Sequence, residues 1–365
     1  MNISGISLHP VKAHRHSGEN SQHVIVKLHT DAGITGLGEI SDLQELGYLP
    51  DLTILSDELN RLLIGREVIN RTEILGLLDK RYGTVEPAFR WGVEIALYDA
   101  LGKLLNQPMY NLLGGRVRDR LRICYPLFPM YERSIAEAGL VEVDKRLGQG
   151  FDMFRVYICG NLEVEEWFFR ELRERHGDTP KIKSLDFSAR FDRKTALRIA
   201  ERLVDLSGTE LVESPVRRAD PRALAEVRRA LRVPVSEHVW SYAEALRLLD
   251  AEALDVLNIS LAALGGVTAA VELFTLARHT ATPTLLGTTQ ELSIGTAAVM
   301  HVAMATPNIE HPGDAVGPLL YIDDVTTEPV PYADGYAWAP DGPGLGVTLD
   351  EDKLAALSHP LYARD

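Results

Sequence analysis

The chain has 365 residues, a hydrophobic content of 45% and a formal net charge of −14 at neutral pH. That balance speaks against a nucleic-acid partner and against an anionic membrane surface, because both call for a surplus of Lys and Arg. A small acidic ligand stays compatible, since the charge inside one cleft can oppose the net charge.

The length exceeds one ~250-residue barrel by about a third. Two cysteines, Cys124 and Cys159, form neither a disulfide framework nor a metal-type pair, which suits a reducing cytoplasm. No basic-then-apolar leader opens the chain, and no apolar run approaches the ~18 residues of a membrane span.

Residues 1–40 read as β-structure. ISGISLHPV, HVIVKLHTDAG and ITGLGEI are three strands, and the DAG and GLG glycines mark the turns. The stretch VKAHRHSGENSQ reads as a polar loop that can carry His14, Arg15 and His16 towards a site. Residues 41–115 switch to helical spacing in LTILSDELNRLLIG, INRTEILGLLDKRY and a long FRWGVEIALYDALGKLLNQPMYNLLGG, which stops at a glycine pair.

From Leu121 the rhythm alternates strand and helix. The strands are LRICYPLF, MFRVYI, KIKSLD, TELVES, VPVSE, DVLNISLA, PTLLG and NIEH, with amphipathic helices after seven of them. Such alternation implies a parallel sheet, and the count suits a closed barrel. A doubly wound open sheet competes, but no G-x-G-x-x-G follows the first strand. After Pro318 a Gly- and Pro-rich tail is expected to pack back on the first unit. The predicted division is an α+β cap at 1–118, a (β/α) TIM-type barrel at 119–318 and the tail at 319–365.

Three apolar runs in the barrel end in acids: Asp186 in KIKSLD, Glu213 in ELVES, and Glu237 with His238 in VPVSEH. The gaps of 27 and 24 residues are near the ~30 of one βα unit, so the acids fall at successive C-terminal strand ends. Carboxylates converging there suit a hard cation such as Mg²⁺.

In order along the chain, GITGLGE, VEIALYDALGKLLNQPMYNLLGGRVRD, LDF, VESP, LNISLAALGGVTAA and DGPGLGVTLDEDKL resemble the enolase superfamily, in its mandelate racemase and muconate lactonizing group. The resemblance covers almost the whole chain. It implies a cap over a modified barrel, one Mg²⁺, and removal of a proton alpha to a carboxylate through a metal-held enediolate. Family habit also implies a homo-oligomer. Asp186 and Glu213 match the first two metal ligands. For the third, register points to His238 and oxygen preference to Glu237.

The chain departs from the pattern at its bases. Where many relatives carry K-x-K, FRVYI gives Arg155 and Tyr157. Where others have N-I-K, NIS gives Ser260, and the seventh strand is followed by Thr288, Thr289 and Gln290 with no His. Tyr157 is the first candidate base, its phenolate favoured by Arg155 and by the metal. His238 is the second. Glu310 and His311 stand near the end of the last strand as candidates to polarise substrate or donate a proton. His14, His16, Ser260 and Thr289 are candidate substrate contacts.

The expected reaction is Mg²⁺-assisted dehydration of an acid sugar by a lyase, acting on a small-molecule carboxylate. A racemase or cycloisomerase, or a barrel that kept the metal site and lost its bases, are the alternatives.

Overall fold

The structure is a computed structural model, and it describes residues 1–41, 43, 50–82 and 87–361. Within the predicted helical region and tail, positions 42, 44–49, 83–86 and 362–365 lie outside the described residues. No helix among those described is long and apolar enough to cross a membrane.

The cap begins with an antiparallel meander of β1 (Ile3–His14), β2 (Asn20–Thr30) and β3 (Thr35–Ile40). The strands run further than their apolar cores suggested, and β1 pairs with β2 up to His14 against Asn20. The polar loop therefore shrinks to five residues, and His14 is a strand residue. Gly33 takes the turn at φ +73°. The GLG glycines do not mark a turn; Gly36 and Gly38 lie inside β3. A Cβ at Gly38 would fall 1.9 Å from the Gly92 carbonyl oxygen, so the glycines serve close packing of strand on helix.

Helices α1 (Leu52–Leu63), α2 (Arg71–Tyr82), α3 (Pro87–Leu105) and α4 (Met109–Leu112) complete the cap. The long predicted helix is two helices. Asn106 takes φ +50° and Pro108 stands at the N-cap of α4, where it cannot continue α3.

Strand β4 (Leu121–Arg122) leaves the cap, and β5 (Tyr125–Leu127) enters the barrel. Then follow α5 (Arg133–Gly148), β6 (Met153–Tyr157), α6 (Leu162–His176), β7 (Lys181–Asp186), α7 (Arg193–Ser207), β8 (Leu211–Glu213), α8 (Pro221–Ala230) and β9 (Val235–His238). The unit ends with α9 (Tyr242–Asp250), β10 (Val256–Ile259), α10 (Leu261–Leu264), α11 (Val267–His279), β11 (Thr284–Leu286) and α12 (Ser293–Ala305). Asp192, Asp220 and Ser241 cap the N-termini of α7, α8 and α9 through their side chains.

Seven parallel strands, β5 to β11, form one curled sheet in chain order. The predicted eighth strand, NIEH, is not a regular strand. Segment 310–314 nevertheless bridges the two edges: Asp314 N donates to the Leu286 carbonyl at 2.9 Å, and Cys124 N to the Gly313 carbonyl at 2.9 Å. The predicted LRICYPLF strand splits for the same reason. Only β5 joins the barrel, while β4 pairs with β13 (Tyr336–Ala337), which forms a hairpin with β12 (Tyr332–Ala333) in the tail.

The tail touches both units. Asp99 of α3 accepts from Leu37 N at 2.7 Å and from Leu345 N at 2.9 Å. Glu351 receives Lys27 of β2 at 2.7 Å. The cap is fixed over the barrel by two buried acids. Glu39 accepts from Leu292 N at 2.8 Å and Gly295 N at 2.7 Å at the start of α12, and Glu94 from Thr268 N at 2.9 Å at the start of α11. Each places a carboxylate on a helix N-terminus, where the unpaired N–H groups attract it.

Candidate active site

The C-terminal ends of the barrel strands open on a cleft of about 480 Å³. Its floor and walls include Arg155, Tyr157, Asp186, His238, Ser260 and Thr289. The three apolar runs do end where expected, with Asp186, Glu213 and His238 as last residues of β7, β8 and β9.

Arg155 organises the floor. Its Nε donates to Asp186 Oδ2 at 3.1 Å, its Nη2 bridges Asp186 Oδ2 and Glu213 Oε1 (3.0 Å to the latter), and its Nη1 reaches Asp314 Oδ2 at 3.3 Å. Burial disfavours the guanidinium charge, but Glu213, Asp186 and Asp314 outweigh it and hold the group charged. Glu213 also receives His238 Nε2 at 2.9 Å and Asn258 Nδ2 at 3.1 Å on the same oxygen. Burial opposes its ionisation, yet Arg155 and His238 hold it below the usual carboxylate range.

Glu237 and His238 separate cleanly. His238 lines the cleft, against Glu213 and Asn258. Glu237 turns behind it, accepting from Ser214 Oγ at 2.7 Å and from His238 N at 2.9 Å. Burial pushes the Glu237 carboxyl up to about 7.

The expected Mg²⁺ set is not assembled in this arrangement. Both oxygens of Asp186 are engaged, Oδ1 by Ser188 N at 2.7 Å and Oδ2 by Arg155. Glu213 Oε1 takes three donors. Buried oxygens Glu213 Oε2 and Glu237 Oε2 have no partner, so oxygen donors of the right kind are present. Among the described residues, though, no three acid, imidazole or thiol groups are placed to share one ion. The donors fit a hard cation in kind and not in geometry.

Tyr157 lies at the end of β6, stacked on Phe128 with ring centroids 5.6 Å apart. Arg155 Cζ stands 4.7 Å from its ring centroid, over the π-face. The expected phenolate is corrected here. Burial pushes the phenol up, Arg155 opposes it, and Asp186, Glu213 and Asp314 push it further up. Arg155 gives its charge to three carboxylates, so little of it is left to favour a phenolate. Its hydroxyl has no hydrogen-bond partner among the described residues.

Glu310 is displaced from the site. It accepts from Thr284 N at 2.8 Å, at the first residue of β11, the end of the barrel away from the cleft. His311 N bonds the Thr284 carbonyl at 3.3 Å, and its ring lies outside the cleft lining. The acid that reaches the floor is Asp314, unnamed by the sequence reading. It also pairs with Lys183, which is fully buried.

His14 pairs at the surface with Asp323 at 2.7 Å. His16 lines a neighbouring groove with Phe128 and Met130. The loop residue that reaches the cleft is Arg15, which donates to Gln290 Oε1. Ser260 lines the cleft while its hydroxyl caps α10, and Thr289 is held by Ser41 at 2.8 Å and by Glu291.

Comparison with known proteins decides the lineage. Residues 3–114 match the mandelate racemase / muconate lactonizing enzyme N-terminal domain, and residues 140–353 match the enolase C-terminal domain-like family. This chain belongs to the enolase superfamily, in its mandelate racemase and muconate lactonizing group.

It is 30% identical to muconate cycloisomerase 1 of Rhodococcus opacus, over 91% of this chain and 89% of that one. It is 28% identical to the N-succinyl-L-Arg/Lys racemase of Bacillus cereus, over 92% and 90%. The crystal structure of muconate cycloisomerase from Pseudomonas fluorescens superposes with a TM-score of 0.88 at 27% identity, covering 98% of this chain and 99% of that one. Cap and curled parallel barrel are thus the superfamily's fold. The expectation of acid-sugar dehydration by a lyase is overturned, because these relatives are isomerases.

Proposed function

We propose that the chain is a cycloisomerase that closes a lactone on an unsaturated dicarboxylate of muconate type. The observation that carries this is the asymmetry of the cleft. Tyr157 presents a proton-bearing side chain at the end of β6, while Ser260, at the end of β10, is an alcohol whose Oγ accepts from Ala263 N and offers no basic group on the opposite side. Racemisation needs a proton acceptor on one face and a donor on the other. Lactone closure needs one proton transfer only.

In that reaction one carboxylate oxygen bonds to the far alkene carbon. The π electrons move toward the second carboxylate, which becomes an enediolate. A proton on the carbon alpha to it completes the product. Arg155 has one N–H left after Asp186, Glu213 and Asp314, and in this reading that donor serves an enediolate oxygen. Tyr157 beside it supplies the proton. Arg190 and Arg218 line the cleft and suit the other carboxylate.

The test is turnover of cis,cis-dienedioates, followed by loss of the diene absorbance in ordinary and deuterated water. Wild type should install one deuterium at the alpha carbon on a single face. Tyr157→Phe should lower kcat by about 10²–10⁴ with KM little changed. Failure to turn over any dienedioate, with racemisation of N-succinyl amino acids instead, would replace this reading with a two-base one.

A further inference from the structure

We propose that Arg155 is the built-in cation of this site: its guanidinium holds the place between Asp186 and Glu213 that a divalent ion would bridge, and so excludes the ion. The inference concerns binding at the floor and does not depend on the reaction.

Geometry carries it. Arg155 Nη2 contacts the Asp186 and Glu213 oxygens at once. A Mg²⁺ would stand about 2.0–2.1 Å from each of its oxygens, which is the volume the guanidinium fills. An arginine does not vacate that place by losing a proton, unlike a lysine. Its planar fork also matches two carboxylates at once, where an ammonium is a point charge.

The remaining positions agree. The cleft-lining residue on β9 is His238, an imidazole, and hard Mg²⁺ prefers oxygen. Its Nε2 is bonded to the same Glu213 oxygen that Arg155 holds. Lys183 sits beneath on Asp314, so two fixed cations already face Asp186, Glu213 and Asp314. Among the described residues the unpartnered buried oxygens of this region include Glu213 Oε2, Glu237 Oε2 and Asn258 Oδ1, which belong to three different strands and are not gathered on one point.

The test is calorimetric titration of Mg²⁺ and Mn²⁺ into chelator-treated, full-length protein. Wild type should show no saturable binding up to about millimolar ion. Arg155→Met, which keeps the apolar stem and removes the charge, should bind at least about tenfold tighter. Arg155→Lys should fall between the two.

Should Arg155→Met fail to fold, thermal unfolding of Arg155→Lys with and without Mg²⁺ carries the test. A rise in its Tm, absent from wild type, supports the proposal, and no rise overturns it. Wild type binding Mg²⁺ as tightly as Arg155→Met would overturn it. So would a folded Arg155→Met that binds no ion, since the two acids would then not be a cation site. None of these readouts uses substrate, so their failure and the failure of the lactonising reaction are separately visible.

Discussion

Asp314→Asn is the sharpest probe of the floor. Lys183 is fully buried, and Asp314 is its ion-pair partner among the described residues. Burial alone would lower the Lys183 pKa, and Asp314 reverses that and holds it above the usual value. Removing one member of a buried pair costs about 3–5 kcal/mol, because the survivor is left charged and unsolvated. Asparagine keeps the shape and one acceptor, so the lower end, about 3 kcal/mol at neutral pH, is expected.

The pH dependence carries a second signature. In wild type the raised lysine stabilises the fold below the unfolded pKa, and that contribution is lost only at high pH, above it. In Asp314→Asn burial and Arg155 are opposed only by the weaker pull of Cys124 and Glu213, and the folded pKa is expected to fall below the unfolded one. The unfolded chain then binds the extra proton, and stability rises with pH through that window. The deficit should narrow between about pH 7 and about pH 9.5 in urea unfolding followed by circular dichroism. Lys183→Met with Asp314→Leu should recover most of the loss, since a neutral pair often replaces a buried ionic one. A deficit below about 1 kcal/mol, or one equal at both pH values, would refute the reasoning.

Two further outcomes follow from buried groups elsewhere. His301 in α12 is fully buried, and burial pushes it down to about 4 against a weaker opposing contact with the Leu345 backbone. A depressed histidine loses its native state stability as pH falls from about 6.5 through about 4, by about 3 kcal/mol in all. His301→Leu should flatten that part of the stability–pH curve, and an unchanged acid slope would contradict it. Gly38→Ala would drive a Cβ into the Gly92 carbonyl oxygen. Separation of β3 from α3 should cost about 1–3 kcal/mol, read as a lower Tm, and wild-type stability would show that the contact relaxes freely.

The fold was largely legible because barrel strands and helices have different periods. What failed did so for local reasons. Pro108 and Asn106 broke a helix whose apolar spacing ran on unbroken. Gly36 and Gly38 looked like turn residues, since glycine at a turn and glycine under a packed helix read alike in one sequence.

Site residues at strand ends were visible wherever a strand ended in an acid. Lys183 escaped because β6 and β7 shift register between Phe154 and Arg155, where Arg155 pairs with Ser184 after Phe154 pairs with Ile182. That bulge passes over Lys183, and simple alternation gives no warning that it turns inward. Asp314 escaped because the chain crosses the barrel edge without forming a regular strand. Counting from NIEH stopped at Glu310, one end of the barrel too early.

The substitutions at the end of β6 are best understood as one change. An arginine at 155 can satisfy two carboxylates where a lysine satisfies one, so Asp186 and Glu213 no longer need a second cation to coexist in the barrel. The same guanidinium then lies over the ring at 157, where a tyrosine offers a π-face and a lysine would offer only repulsion. Yet Arg155 is already shared among three acids, and the burial and acids around the phenol favour its protonated form. A site built this way favours giving a proton over taking one. Lactone closure calls for that direction, and two-base racemisation does not.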